Sequence, residues 1–156
     1  YLQNHGRRYT AHRNALGRGN ADTPSGGYHC IQTGIVKGGT GMFHEICIYE
    51  AKVDKQDEIE ALMKEVAAFY RSQPGVIDVK YIKRTHRQES FNAVKEGKPP
   101  IRLTKWVGKV TYILHWTLED KEAHACVSKL GLELFYKRWN RCLTTMPKIL
   151  LGEDIV

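Results

Sequence analysis

From Met42 onward, apolar positions recur with two different periods, and the points where one gives way to the other mark out elements. Phe43–Val53, FHEICIYEAKV, reads as a strand with mixed faces, dominated by β-branched, aromatic and aliphatic residues. Ile59, Leu62, Met63, Val66 and Phe69 or Tyr70 then fall at spacings of three and four, the stripe of a helix, with Asp54 as its N-cap and Asp57 three residues on. Pro74-Gly75 stops that helix. Val76–Arg87 alternates Ile77, Val79 and Tyr81 with Asp78 and Lys80, giving a strand with one buried and one wetted face. A polar connection follows, Gln88–Trp106, broken by Gly97, Pro99 and Pro100, and is expected to form a lid or pocket wall. Val110–Thr117 is a strand of almost uninterrupted β-formers, and Thr117 with Asp120 three residues later predicts a helix start. Ala123, Val127, Leu130 and Leu134 form the stripe of that helix, Trp139 and Leu143 extend it, and Pro147 ends it. Ile149–Val156 is a short last strand.

The order strand, helix, strand, strand, helix, strand predicts an α+β domain: a split βαβ arrangement (βαββαβ), in which both helices pack on one face of a four-stranded antiparallel sheet. The strands nevertheless carry apolar residues on both faces, Ile46 and Ile48 alternating with Cys47 and Tyr49, and Tyr112 and Leu114 with Ile113 and His115. A bare apolar sheet face needs a cover, and a second copy of the same sheet is the simplest one, so a homodimer through the open sheet face is expected.

A length of 156 residues is that of one ordinary domain with a real core, and the charged and apolar fractions are those of a globular protein. No apolar run approaches a membrane span or a secretory signal, so no membrane partner is expected and the location is read as cytoplasmic. The net charge of +7 is uneven: Arg7, Arg8, Arg13, Arg18 and Lys37 against Asp22 give residues 1–41 +4 of it. Those residues also hold nine of the fourteen glycines and few large apolar side chains, so disorder is expected there. Lys37-Gly38-Gly39 stands shortly before Met42, and a purine-rich ribosome-binding element of bacterial messages reads as Lys-Gly-Gly in one frame; residues 1–41 are accordingly read as a translated leader before a start at Met42. Nucleic-acid binding through this tail is not expected, and it falls away if Met42 is the start. Cys30, Cys47, Cys126 and Cys142 form no CxxC pair and are read as buried or free thiols.

Within residues 42–156 the strand FHEICIYEAKV, the acid-capped helix ending in QPGV, and above all LHWTLEDKEAH, Leu114–His124, resemble the antibiotic biosynthesis monooxygenase family. The family's second His, a few residues after the first, has no counterpart in Ser128–Leu132, SKLGL. The resemblance implies a ferredoxin-like, dimeric α+β barrel that oxidises a quinol- or anthrone-like aromatic small molecule with O₂ and no metal or flavin cofactor. Such chemistry needs an apolar pocket and a base that removes a phenolic or carbon-bound proton, after which the anion itself reduces oxygen. His115 is the candidate base, because imidazole titrates near working pH, with His86 second. Tyr49, Tyr112 and Trp116 are the candidate substrate contacts. His124 is read as a partly exposed helix side chain.

Two alternatives stand beside this reading. A non-catalytic small-molecule-binding or structural barrel fits a chain without a compact catalytic motif, and a layer filled by its own aromatic side chains would favour it. A haem-degrading monooxygenase of the same barrel class ranks lower, since Tyr49 stands at roughly the position where that class has Asn and His124 comes early in the second helix. Metal binding by His115, His124 and Cys126 matches no zinc spacing.

Overall fold

The computed structural model describes residues 41–156, so the expectations for the tail and its leader lie outside the described residues. Strand β1 (Phe43–Lys52) runs into a single 3₁₀ turn, Val53–Lys55, and helix α1 (Gln56–Arg71). Strand β2 (Val76–Lys83) follows a turn in which Gly75 has φ 77°, a conformation that strains any residue with a Cβ. Next come a short ribbon strand β3 (His86–Arg87), the single-turn helix α2 (Phe91–Lys95) and the ribbon's return strand β4 (Ile101–Arg102). Strand β5 (Lys109–Leu118), helix α3 (Lys121–Cys142) and strand β6 (Lys148–Glu153) complete the chain.

The main sheet has the order β2-β5-β1-β6 with every neighbour antiparallel, the expected split βαβ topology. Strand alternation sorts the side chains. Glu45, Cys47, Tyr49 and Ala51 of β1 and Val110, Tyr112, Leu114, Trp116 and Leu118 of β5 turn toward the helices and are buried or half-buried. Leu62, Val66, Ala67 and Tyr70 of α1 and Ala123, Val127 and Phe135 of α3 close over Cys47, Leu114, Trp116 and Leu118 as one cluster, with Val79 of β2. Ile59, Met63 and Cys142 close over Ala51, Val110 and Tyr112 as a second. The other face carries Ile46, Ile48, Ile82, Ile113, His115 and Leu150, and no described element packs over it. Ile46, Ile82 and Leu150 are 40–50 % exposed there, apolar side chains that remain in contact with water.

Three boundaries differ from the expectation. Asp54 lies inside the 3₁₀ turn, and the N-cap position of α1 is Lys55. Thr117 cannot cap α3, because its backbone is still extended and paired with His44 and Asp78; Asp120 does so instead, its carboxylate accepting from the Ala123 N–H at 2.7 Å. The strand expected to reach Arg87 leaves the sheet after Lys83, where the Arg84 N–H donates to the Thr111 carbonyl at 2.9 Å, and His86–Arg87 pair with Ile101–Arg102 in a separate ribbon. Cys47 and Cys142 are buried free thiols as expected, whereas Cys126 is disulfide-bonded, a departure from the reading of four thiols. Among the described residues no helix is long and apolar enough to cross a membrane.

Candidate active site

Glu45 is the one acid on the helix-facing side of β1, 7 % exposed, and its register partner across the sheet is Trp116. Burying a carboxylate there requires a partner, and α3 supplies it. Asp120 fixes the first turn of that helix, and His124, one turn in, turns its Nε2 to the Glu45 carboxylate in a close contact. Ser128, one turn further on, brings its hydroxyl to 3.4 Å from the same nitrogen. The His124 ring also touches Phe43 and Trp116, with centroids 5.2 and 5.4 Å away. With Nε2 engaged by the Glu45 carboxylate, Nδ1 is the ring nitrogen left to act on a further partner. A carboxylate-held imidazole, largely shielded from water, is the arrangement by which a protein orients a general base.

Aromatic rings surround this pair. Tyr70 of α1 stacks flat on Trp116, centroids 4.4 Å apart and planes 5° from parallel. Tyr49 stacks on Trp139 at 4.8 Å and leans on Tyr81. Among the described residues, two polar side-chain atoms of this layer are buried without a hydrogen-bond partner: the Trp116 indole N–H and the Tyr81 hydroxyl. Each such atom costs about 1–3 kcal/mol relative to a satisfied one and invites a ligand oxygen. Burial pushes the phenols of Tyr49, Tyr70 and Tyr81 above the ordinary tyrosine range, and the nearby Glu45 charge adds to it. They stay protonated at neutral pH and serve as donors, not bases.

The residues expected to act together are divided by the sheet. Trp116 and Tyr49 lie in the helix-facing layer. Tyr112 faces the same way but belongs to a second cluster at the other end of the strands, where its hydroxyl donates to Glu60 at 2.8 Å and Lys83 bridges to the same carboxylate. His115 is on the opposite, open face, stacked on His44 at 5.6 Å, so the sheet separates it from Trp116. His86 is exposed in the ribbon, its Nδ1 2.8 Å from the Thr85 hydroxyl. The Gln88–Trp106 connection lies at the Lys83 and Lys109 end of the sheet, away from the Glu45–His124 pair. There it walls a shallow depression of about 150 Å³ beside Val94 and Pro99, and its Trp106 ring sits under the Lys83 ammonium. Glu45, Tyr70 and the position of His124 were thus missed. The available signal was an acid at Glu45 in phase with Cys47 and Tyr49, which period-two alternation places in the core.

No protein-family model matches this chain, and no curated protein matches it. Solved structures do. A protein from Nitrosomonas europaea proposed to be an antibiotic biosynthesis monooxygenase superposes with a TM-score of 0.53 at 11 % identity, over 77 % of this chain and 96 % of that one. The chain shares its fold. A second such protein, from Bordetella bronchiseptica, gives 0.52 at 15 % identity over 75 % of this chain and all of that one. A conserved protein from Methanosarcina mazei gives 0.51 at 12 % identity. At these identities the likeness concerns the path of the backbone: a four-stranded antiparallel sheet with helices on one face, as the resemblance in Leu114–His124 implied.

Proposed function

We propose that the protein is a cofactor-independent monooxygenase acting on an electron-rich planar aromatic of the quinol or anthrone type, with His124 as its general base in place of His115. The observation that carries this reading is the His124–Glu45 contact beside Trp116. Nδ1 of His124 takes a phenolic or benzylic proton, and Glu45 holds the imidazolium that results. The substrate anion gives electrons to O₂ and combines with it; loss of water converts a CH₂ group to a carbonyl, one oxygen atom ending in the product and one in water. The apolar walls keep bulk water from the reactive anion. Tyr49 and Trp116 remain substrate contacts in this proposal, while Tyr112 and His86 sit too far from the dyad to take part. The functional unit is a homodimer closed over the open sheet face, which would bury the isoleucine surface.

The test is oxygen uptake by the purified full chain across a panel of hydroquinones and anthrones without added metal or flavin. Uptake should scale with protein, fall to the spontaneous rate in His124→Ala, and persist in His115→Ala. Loss in His115→Ala alone would return the base to the open face. A second reading, ligand binding without catalysis, is favoured by one observation: Tyr70 fills the space beside Trp116. Absence of uptake on every substrate would establish that reading over the oxygenase.

A further inference from the structure

Gly131 lies on the α3 surface facing the sheet, two turns after His124, and it is buried. A Cβ built there would stand 2.9 Å from Cε1 and Cζ of Tyr70 and closer still to its hydroxyl. The Tyr70 ring thus has the Trp116 indole on one face at 4.4 Å and nearly parallel, and a bare stretch of helix backbone receiving its hydroxyl edge. The Trp116 face and the Gly131 backbone together seat one aromatic ring, and His124 stands 5.4 Å from the same indole. The buried Trp116 indole N–H has no acceptor among the described residues.

A tyrosine is itself a planar, hydroxylated aromatic. Four residues before the Pro74-Gly75 turn, Tyr70 stands in the last full turn of α1, its ring buried against Trp116, Phe69 and Gly131. We propose that the Tyr70–Trp116–Gly131 slot is the aromatic-binding subsite, that Tyr70 occupies it as an internal stand-in, and that a planar quinonoid or hydroxyaromatic ligand enters by displacing the Tyr70 ring. Gly131 then sets specificity, since the absence of a side chain there gives the slot its depth. This inference rests on the proposed location of the active site, although it concerns binding alone. Tyr70 acts as a competitor for the slot, so the apparent affinity for ligand is lowered by the fraction of time its ring is in place.

The experiment measures binding of 1,4-naphthoquinone under nitrogen, by equilibrium dialysis and by the Trp116 indole N–H resonance, using full-length protein. Wild type should bind weakly, with the Trp116 indole resonance shifted and the Tyr70 ring resonances moving to solvent-exposed values. Tyr70→Ala should bind about tenfold tighter, the size of one aromatic stack converted to an affinity ratio. Gly131→Leu in the Tyr70→Ala background should abolish binding and leave the fold intact by circular dichroism. Equal or weaker binding by Tyr70→Ala, or tight binding that survives Gly131→Leu, would overturn the slot. Should Tyr70→Ala fail to fold, the wild-type resonances decide: ligand binding with the Tyr70 ring unmoved overturns the proposal. Binding in the slot without any oxygen uptake supports this inference and removes the monooxygenase reading, so the two fail separately.

Discussion

Tyr70 is seated so closely on Gly131 that a methyl group at residue 131 would stand 2.9 Å from two carbons of the phenol ring. Stacking on Trp116 prevents the ring from yielding toward the sheet. Gly131→Ala should therefore destabilise the protein by about 1–3 kcal/mol through overpacking, although alanine is the better helix former by about 1 kcal/mol. In a Tyr70→Ala background the same substitution should become neutral or stabilising. Urea unfolding of the four proteins gives the coupling directly. An equal loss in both backgrounds would show that contact with Tyr70 is not the reason for glycine.

Glu60 anchors the other end of the helix-facing layer. Burial raises its pKa, but the Lys83 ammonium and the Tyr112 hydroxyl outweigh that and hold the carboxyl below its ordinary 4.5. A carboxyl lowered in the folded state stabilises the protein above its unfolded value and loses that contribution as pH falls through the folded value. Tyr112→Phe should cost about 1 kcal/mol at pH 7, the low end for a bond to a charged acceptor because Glu60 is partly exposed. The gap between variant and wild type should shrink below pH 4.5. A gap that stays constant into acid would assign the loss to packing of the ring.

Much of this fold could be read along the chain, and most of the site could not. Ile59, Leu62, Met63 and Val66 announce α1, and Val110 to Leu118 announce β5, because period and composition are local properties. Alternation also separates His115 from Trp116, but it does not say which face the helices cover. That depends on how far α1 and α3 lean over β1 and β5, and the helices cover the face that holds Val110, Tyr112, Leu114, Trp116 and Leu118. His115 was accordingly placed with the wrong neighbours. Glu45 and His124 are 79 residues apart and meet only once the β1–β5 register and the start of α3 are both fixed. The start of α3 was itself ambiguous, since Thr117 and Asp120 both offer capping oxygens, and the choice rotates His124 relative to the sheet. The Tyr70–Gly131 contact depends on the helix–helix crossing, for which neither sequence segment carries a signal.

Cys47 reports on the opening of the layer that holds the dyad. Its thiol is 1 % exposed, and burial pushes its pKa up to about 11, with Glu45 adding to the shift against a lowering contact from Tyr49. At pH 8 it is both shielded and protonated. Iodoacetamide should leave Cys47 unmodified in the native protein over hours and label it in denaturant, as read by peptide mass. Labelling of Cys47 in the native state, increased further in Tyr70→Ala, would reveal that α1 and α3 part from the sheet on that timescale.

The open face offers the clearest test of assembly. Ile113 lies at its centre on β5, paired with Ile48 of β1 and Ile82 of β2, so three isoleucines form a row across the sheet. Ile46 and Leu150 extend the row's apolar surroundings. Without a cover this surface would face water, and a symmetric copy buries it against itself. Wild type should sediment as a dimer, whereas Ile113→Lys, which sets two ammonium groups near one another across the two-fold axis, should sediment as a monomer. The helix-facing core does not include residue 113, so the variant's circular dichroism should match wild type. A wild-type monomer at high protein concentration would overturn the dimer. A dimer that tolerates Ile113→Lys would move its interface off the sheet.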